Sequence, residues 1–176
     1  DEWGRSLTSS EFRRGNKAVK LEKTQTGIKN IFDSLLAKSQ DGTITKNLDG
    51  ILLEATNPMW FESELNVPAG TNYLNFNYQF QGSKPGYLSA FLNDELIFIS
   101  DQRFHENVLE KTNDIYVGDK ALQGRNILSV RFNPYENQSL SLAEETTTTA
   151  KAFLSGIEFG KIQRSKNYSR SWRLYE

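Results

Sequence analysis

The chain has 176 residues and a mass of 20.1 kDa, which fits one domain. Its 21 basic and 22 acidic residues leave a net charge of −1, so the composition gives no general attraction to nucleic acid or to an anionic membrane. With no cysteine and one histidine, His105, the chain has no means of building disulfides, thiolate metal sites or a histidine-rich zinc site, and no stretch approaches the roughly 18 apolar residues of a membrane span.

The N-terminal part is predicted to hold a linker, a strand and a helix. Residues 1–14 alternate weakly and are interpreted as a linker or edge segment. Residues 18–22 predict a short strand. The helix is predicted over residues 28–36, with Thr26 as its N-cap, because apolar residues recur there at the spacing of one helical face. The residues with this spacing are Ile28, Ile31, Phe32, Leu35 and Leu36.

From residue 61 the hydrophobic pattern changes to the period of two that is typical of β-strands. Residues 61–67 and 73–80 each predict one strand. Residues 87–92 and 96–99 predict a hairpin across Asn93 and Asp94, a pair that tolerates the positive φ of a tight turn.

The C-terminal half continues this pattern and defines the fold class. Residues 114–117, 127–133, 139–142 and 150–162 predict further strands, and Gly156 and Gly160 within the last of them suggest a bulge. About eight strands at roughly 8–12-residue spacing predict a mainly β domain over residues 15–162, built as a two-sheet antiparallel sandwich with one short helix. The predicted core contains Leu74, Phe76, Leu88, Leu92, Leu128, Val130 and Phe132.

The C-terminal tail has its own composition. From residue 161 onward it holds five basic residues and one acidic residue, with Tyr168, Trp172 and Tyr175 placed between them. Residues 163–176 are therefore interpreted as a basic aromatic segment that contacts a neighbouring domain or a surface protein.

Two pairs of stretches carry a family resemblance. Residues 67–80 with 86–98, and residues 126–132 with 152–159, resemble the galactose-binding-like jelly rolls of bacterial secreted and surface proteins, which include many carbohydrate-binding modules. The resemblance covers about residues 15–162. It implies a jelly-roll topology and a non-catalytic carbohydrate-binding module of a larger secreted or cell-surface protein. The first residue, Asp1, in place of Met, also leads us to expect an excised or mature segment.

The same resemblance raises the question of a structural calcium ion. In those modules the last core strand often carries an Asp-Asn pair whose acidic residue binds calcium, whereas this chain has Ser155 and Gly156 at the matching positions. Glu158 follows two residues later, and Glu22 is the second candidate ligand, with loop carbonyls completing the site. Calcium takes about six to eight oxygen ligands, and no D-x-D-x-D-G run supplies them.

The predicted sugar site combines aromatic rings with amide and guanidinium groups, which match the C–H faces and hydroxyls of sugars. One outward row on the strand over residues 73–80 and a tryptophan supply these groups. Two outward residues on the strand over 127–133, which is expected to be a neighbouring strand, extend the row. The residues of the predicted site are Tyr73, Asn75, Asn77, Gln79, Arg131, Asn133 and Trp60. The alternative interpretation is an ordinary solvated sheet face, which is polar without any ligand.

Two other functions remain open. The basic tail and the apolar helix favour a structural or adhesive protein-interaction domain. Glu62 and Glu64, about 7 Å apart on one strand face, have the spacing of a glycosidase carboxylate pair. No supporting base accompanies them, so a polysaccharide lyase or glycosidase is the third hypothesis.

Overall fold

The computed structural model describes residues 21–29, 35–121, 124–136 and 148–164, and these ranges form two antiparallel β-sheets. In chain order the strands are β1 (Leu21–Lys29), β2 (Leu35–Lys38), β3 (Thr43–Lys46), β4 (Ile51–Ala55), β5 (Met59–Val67), β6 (Tyr73–Phe80), β7 (Gly86–Leu92), β8 (Glu95–Asp101), β9 (Glu110–Lys111), β10 (Ile115–Tyr116), β11 (Gly124–Pro134) and β12 (Ala150–Arg164). A short 3-10 helix, Gln102–Phe104, follows β8.

The strand order shows how the chain crosses between the two layers. The seven-stranded sheet has the order β10–β6–β12–β4–β3, with β1 beside β12 and β9 beside β6, and the five-stranded sheet has the order β2–β5–β11–β7–β8. Among these twelve strands, consecutive strands stay in one sheet from β3 to β4, from β7 to β8 and from β9 to β10, and the other eight steps cross to the opposite sheet. The predicted mainly β, two-sheet jelly-roll sandwich is confirmed.

The hydrophobic core lies between the sheets and follows the alternation of β4, β5 and β11. In β11, for example, Leu128, Val130 and Phe132 are buried while Arg131 is exposed. All seven predicted core residues are buried. Since a slip of one residue would turn a whole strand inside out, this burial fixes the register of each sheet.

Turns and bulges occur where the sequence predicted them. Asn93 (φ 49°) and Asp94 (φ 70°) join β7 to β8 in the left-handed region, as a two-residue hairpin requires. The pairing of β12 with β6 shifts between Ser155 and Ile157, which places the predicted bulge at Gly156.

The predicted helix is wrong at every one of its residues that the structure describes. Ile28 and Lys29 end β1, where Lys29 pairs with Ile157, and Leu35 begins β2 opposite Ser63. Ile28 is 73% exposed, so the apolar spacing does not mark a core stripe. Pairing with strands distant in the sequence overrides the local helical pattern.

Several predictions fall outside the described residues. These are the linker over 1–14, most of the strand over 18–22, the strand over 139–142 and residues 165–176 of the tail. β12 ends at Arg164, two residues beyond the predicted domain boundary. Among the described residues, no helix has the length and hydrophobicity to cross a membrane.

Candidate functional site

The predicted sugar-binding residues lie on two different sheets. Tyr73, Asn75, Asn77 and Gln79 belong to β6 of the seven-stranded sheet, whereas Trp60, Arg131 and Asn133 belong to β5 and β11 of the five-stranded sheet. The expectation that the β6 and β11 rows are neighbours is therefore wrong. Alternation shows which side of a strand faces the core, but it does not show which sheet the strand joins.

Half of the β6 row is buried, and Asn75 in that half bonds to the segment that leads from β8 to β10. Tyr73 is 3% exposed and Asn75 is 2% exposed. The Asn75 carbonyl oxygen accepts from the Thr112 hydroxyl (2.8 Å) and from the Asp114 backbone N–H (2.7 Å), and its amide donates to the Asp114 carboxylate (2.8 Å). The side chain of Asn75 therefore anchors this segment, and its bonding capacity is used within the protein.

The other half of the β6 row also contacts this segment. Gln79 donates to the backbone oxygen of Asn107 (3.2 Å), and Asn77 pairs with Lys111 of β9. Both side chains are half-buried. The β6 row thus holds a covering segment in place.

The outer side of the five-stranded sheet has a different character. Trp60 lies opposite Arg131 in the β5–β11 pairing, and Ser89 of β7 lies on the other side of Arg131. The Arg131 guanidinium carbon is 4.7 Å from the centroid of the Phe91 ring, within the range of a cation–π contact. Trp60 is 38% exposed, and Arg131 is exposed as well. We call the outer surface formed by Trp60, Tyr87, Phe91, Arg131 and Asn133 the aromatic face.

Charges around the aromatic face are largely matched to one another. Glu64 lies 3.3 Å from the Arg125 guanidinium, and Asp101 lies 2.8 Å from that of Arg103. In the described ranges, Arg131 makes its ring contact with Phe91 but no ion pair within 4.0 Å. No carboxylate of the described residues therefore neutralises the Arg131 guanidinium, and its N–H groups can donate hydrogen bonds to a ligand.

One end of the aromatic face is fixed by a cluster around Tyr135. The Tyr87 and Tyr135 rings are 5.4 Å apart, and the Arg103 guanidinium lies 3.9 Å from the Tyr135 ring centroid. The Tyr135 hydroxyl donates to the Asp101 carboxylate at 2.5 Å. Hydrogen bonds from Arg103, with help from Tyr135, lower the pKa of Asp101 from 3.8 to about 2.

Sequence reasoning missed Tyr87 and Phe91 as members of this face. The signal was present, because Leu88, Ala90 and Leu92 alternate as buried residues in β7 and leave Tyr87 and Phe91 outward. Trp60, by contrast, was predicted and lies on the face.

The predicted calcium ligands do not come together. Glu22 lies opposite Gln163, whereas Glu158 lies opposite Ile28, so the two carboxylates are six residues apart along β1, about 20 Å. The Glu158 carboxylate is instead 3.0 Å from the Lys111 ammonium. Across the described parts of the chain, no group of three or more metal-ligating side chains is present. Glu22 and Glu158 do not fit a shared calcium site.

A cleft of about 940 Å³ runs beside β8, opposite β9 and β10. Its polar groups form a chain in which the Ser100 hydroxyl donates to Tyr78 (3.2 Å) and the Tyr78 hydroxyl donates to Glu110 (2.9 Å). The same Glu110 oxygen is 3.2 Å from Nδ1 of His105. Burial raises the pKa of Tyr78. These three side chains and His105 are therefore bonded to one another within the cleft.

Comparison with known proteins gives similarities of fold. No protein-family model matches the chain, and no curated protein matches its sequence. Three of the similar solved structures are carbohydrate-binding modules. TmCBM27, described as recognising mannan, has a TM-score of 0.49 and 9% identity, covering 80% of this chain and 98% of the module. The C-terminal CBM6 of LamC from Zobellia galactanivorans has a TM-score of 0.45 and 9% identity, and the match covers 81% of this chain and 100% of the module.

The third is a CBM36 module in complex with calcium and xylotriose, with a TM-score of 0.44 and 11% identity, covering 76% of this chain and 98% of the module. At these identities the likeness concerns the fold and not the ligand. The similar solved structures thus include carbohydrate-binding modules, the class of domain that the sequence resembles.

Proposed function

We propose that the chain is a non-catalytic carbohydrate-binding module and that it binds glycans on the aromatic face. The observation that carries this proposal is the Arg131 guanidinium, which no carboxylate of the described residues neutralises, beside two exposed or half-exposed rings, Trp60 and Phe91, on the outside of the five-stranded sheet.

The chemistry of the face suits sugars. The Trp60 ring gives a flat apolar surface for the C–H side of a sugar ring. Arg131 and the Asn133 amide donate hydrogen bonds to hydroxyls, and Glu62, two residues from Trp60 on β5, accepts them. Both kinds of contact lie within one region of three neighbouring strands.

Such a face binds weakly. Each hydrogen bond to a sugar hydroxyl contributes about 0.5–1.5 kcal/mol, because it replaces a bond to water. With a few such bonds and one ring contact, we expect dissociation constants on the order of micromolar to millimolar.

The first prediction tests the face by mutation. A glycan array identifies the best ligand, and isothermal titration calorimetry then compares the parent with Trp60→Ala and Arg131→Ala. Both variants are expected to lose binding at least tenfold with an unchanged Tm, since both side chains point to solvent.

Gln79→Ala is the matched control, because it removes a polar side chain of the β6 row and is expected to bind like the parent. Equal binding by Trp60→Ala, Arg131→Ala and the parent would contradict the proposal. Release of reducing sugars from the array's best glycan would show catalysis and contradict the non-catalytic part.

A protein-interaction role has a separate observation in its favour. Phe104 is 78% exposed, and Val108 and Leu109 of the same connection are 47% and 57% exposed. An adhesive or structural domain would use such an apolar surface. A silent glycan array together with loss of partner binding in Phe104→Ser would favour this second function.

The proposal also places the domain in a secreted or cell-surface protein. It rests on the resemblance of the sequence to the jelly-roll modules of bacterial secreted and surface proteins. Cell fractionation of the source organism with an antibody to the domain checks it, and a purely cytosolic signal would refute it.

A further inference from the structure

The five-stranded sheet ends at β8, which pairs with β7 on one side only. No backbone hydrogen bond from the described residues reaches the other side of β8. The peptide N–H and C=O groups along this free edge are strong hydrogen-bonding groups, and another β-strand satisfies a whole row of them at once.

The composition of β8 sets it apart from the other edge strands of four or more residues. β1 contains Lys23 and Lys29, β2 contains Lys38, and β3 contains Lys46. Lysines on an edge oppose pairing with a further strand, because their ammonium groups resist burial. β8 has the sequence Glu-Leu-Ile-Phe-Ile-Ser-Asp, with no lysine, arginine or proline.

Two apolar side chains of β8 are exposed, and a cleft lies beside the strand, as expected if a further β-strand can pair with its free edge. Leu96 is 51% exposed and Ile99 is 61% exposed. The 940 Å³ cleft is lined by five consecutive residues of β8, from Leu96 to Ser100, so there is room along the edge.

We propose that the free edge of β8 pairs antiparallel with β8 of a second copy of this chain, which joins two five-stranded sheets across a two-fold axis. An isologous pairing of this kind uses the same strand from both copies, as closed dimers commonly do. In an antiparallel pair of two β8 strands, the exposed apolar residues of one copy, Leu96 and Ile99, face the same two residues of the other copy.

A bulge in the β7–β8 pairing decides which residues of β8 point outward, and so which register suits the β8–β8 pair. The β7–β8 pairing shifts at Ala90/Phe91, so Leu96 lies opposite Phe91 and Ile99 lies opposite Ser89. Leu96 and Ile99 therefore point to the same outer side although they are three positions apart. An antiparallel pair centred between Ile97 and Phe98 sets Leu96 of one copy opposite Ile99 of the other.

Charge selects the same register. In that register Glu95 lies opposite Ser100 of the second copy. A shift of one residue places Glu95 opposite Asp101, which brings two carboxylates together and sets inner positions opposite outer ones. A single strand pair buries less than the about 1,200 Å² of a stable interface, so the association is weak and depends on concentration.

Sedimentation equilibrium over a range of protein concentrations tests the association. The parent is expected to shift from monomer to dimer as concentration rises, and Ile99→Lys is expected to stay monomeric with an unchanged Tm. Ile28→Lys makes the same change at a 73% exposed position on the lysine-bearing edge β1 and is expected to dimerise like the parent. A parent that stays monomeric, or an Ile99→Lys variant that dimerises equally, overturns the proposal.

Cysteine pairing tests the register, since the natural chain has no cysteine. Facing residues in antiparallel strands have Cα atoms about 4.5–5.5 Å apart, within reach of a disulfide. An oxidised mixture of Leu96→Cys and Ile99→Cys proteins is expected to give a cross-linked heterodimer, whereas each variant alone gives little. Equal cross-linking of either variant alone contradicts this register.

Discussion

Asp101 shows how one side chain holds the end of the aromatic face. Its carboxylate accepts from Nη2 of Arg103 (2.8 Å) and from the Tyr135 hydroxyl (2.5 Å), and Arg103 stacks on the Tyr135 ring. Tyr135 in turn packs beside Tyr87 of the face. The charge of Asp101 therefore keeps two aromatic residues in position.

We predict that this charge stabilises the fold above about pH 4. The pKa of Asp101 is about 2 in the folded chain against the usual 3.8, so folding favours the ionised carboxyl. The stabilisation is complete above the unfolded pKa and disappears as the pH falls through about 2. Asp101→Asn should lower Tm at pH 7, and the difference from the parent should shrink between pH 4 and pH 2.

Thermal unfolding followed by circular dichroism across this pH range measures the effect. Asp49→Asn, in an exposed turn, is the control and should match the parent at pH 7. A Tm difference for Asp101→Asn that stays constant from pH 7 to pH 2 would contradict the role of the charge.

Among the elements, β9 and β10 are held to the seven-stranded sheet in part by a buried amide, that of Asn75. Both are two residues long and pair only with β6, so backbone pairing holds them weakly. Asn75 bonds Thr112 and Asp114 between them, and Lys23 of β1 forms an ion pair with Asp114. This network fastens the connection from β8 to β10 onto the seven-stranded sheet.

We predict that Asn75→Ala destabilises the fold and leaves glycan binding unchanged. The substitution leaves the buried partners of the amide without their hydrogen bonds, at a cost of about 1–3 kcal/mol. Urea denaturation measures the free energy of unfolding, and Asn77→Ala, the half-buried neighbour in the same row, should cost less. If Asn75→Ala keeps full stability and loses glycan binding, the β6 row belongs to the site after all.

The elements also show what the sequence was able to predict. The alternation of apolar and polar residues in β6 and β11 correctly predicted which apolar side chains face the core, since burial of one face imposes a period of two. It gave no information on which strands are neighbours, and Asn75 was therefore grouped with Arg131. The helix was wrong because Lys29 and Leu35 pair with Ile157 and Ser63, and such distant partners leave no local pattern.

For the molecule as a whole, one core joins both sheets. Leu128 of the five-stranded sheet and Leu74 of the seven-stranded sheet are both 0% exposed and belong to one hydrophobic cluster. Loss of packing at one point should therefore weaken the entire sandwich, without a sheet that survives alone.

We predict that Leu128→Ala lowers the free energy of unfolding by about 2–5 kcal/mol, from lost burial and the cavity left behind. Far-ultraviolet circular dichroism and tryptophan fluorescence should report one shared transition in urea. Ile127→Ala, the half-buried neighbour on the outer side of β11, should cost much less. Two separate transitions, or equal costs for the two variants, would contradict a single core.

The alternation of β5, β7 and β11 has a consequence for how the domain can diversify. Each of these strands devotes every second position to the core and the positions between to the aromatic face. Substitutions at Trp60, Phe91, Arg131 and Asn133 therefore change the proposed glycan-binding surface without altering the packed interior. A library randomised at these four positions should retain its folded fraction while its members differ in the glycans they select, so new specificity can arise by point mutation on an unchanged scaffold.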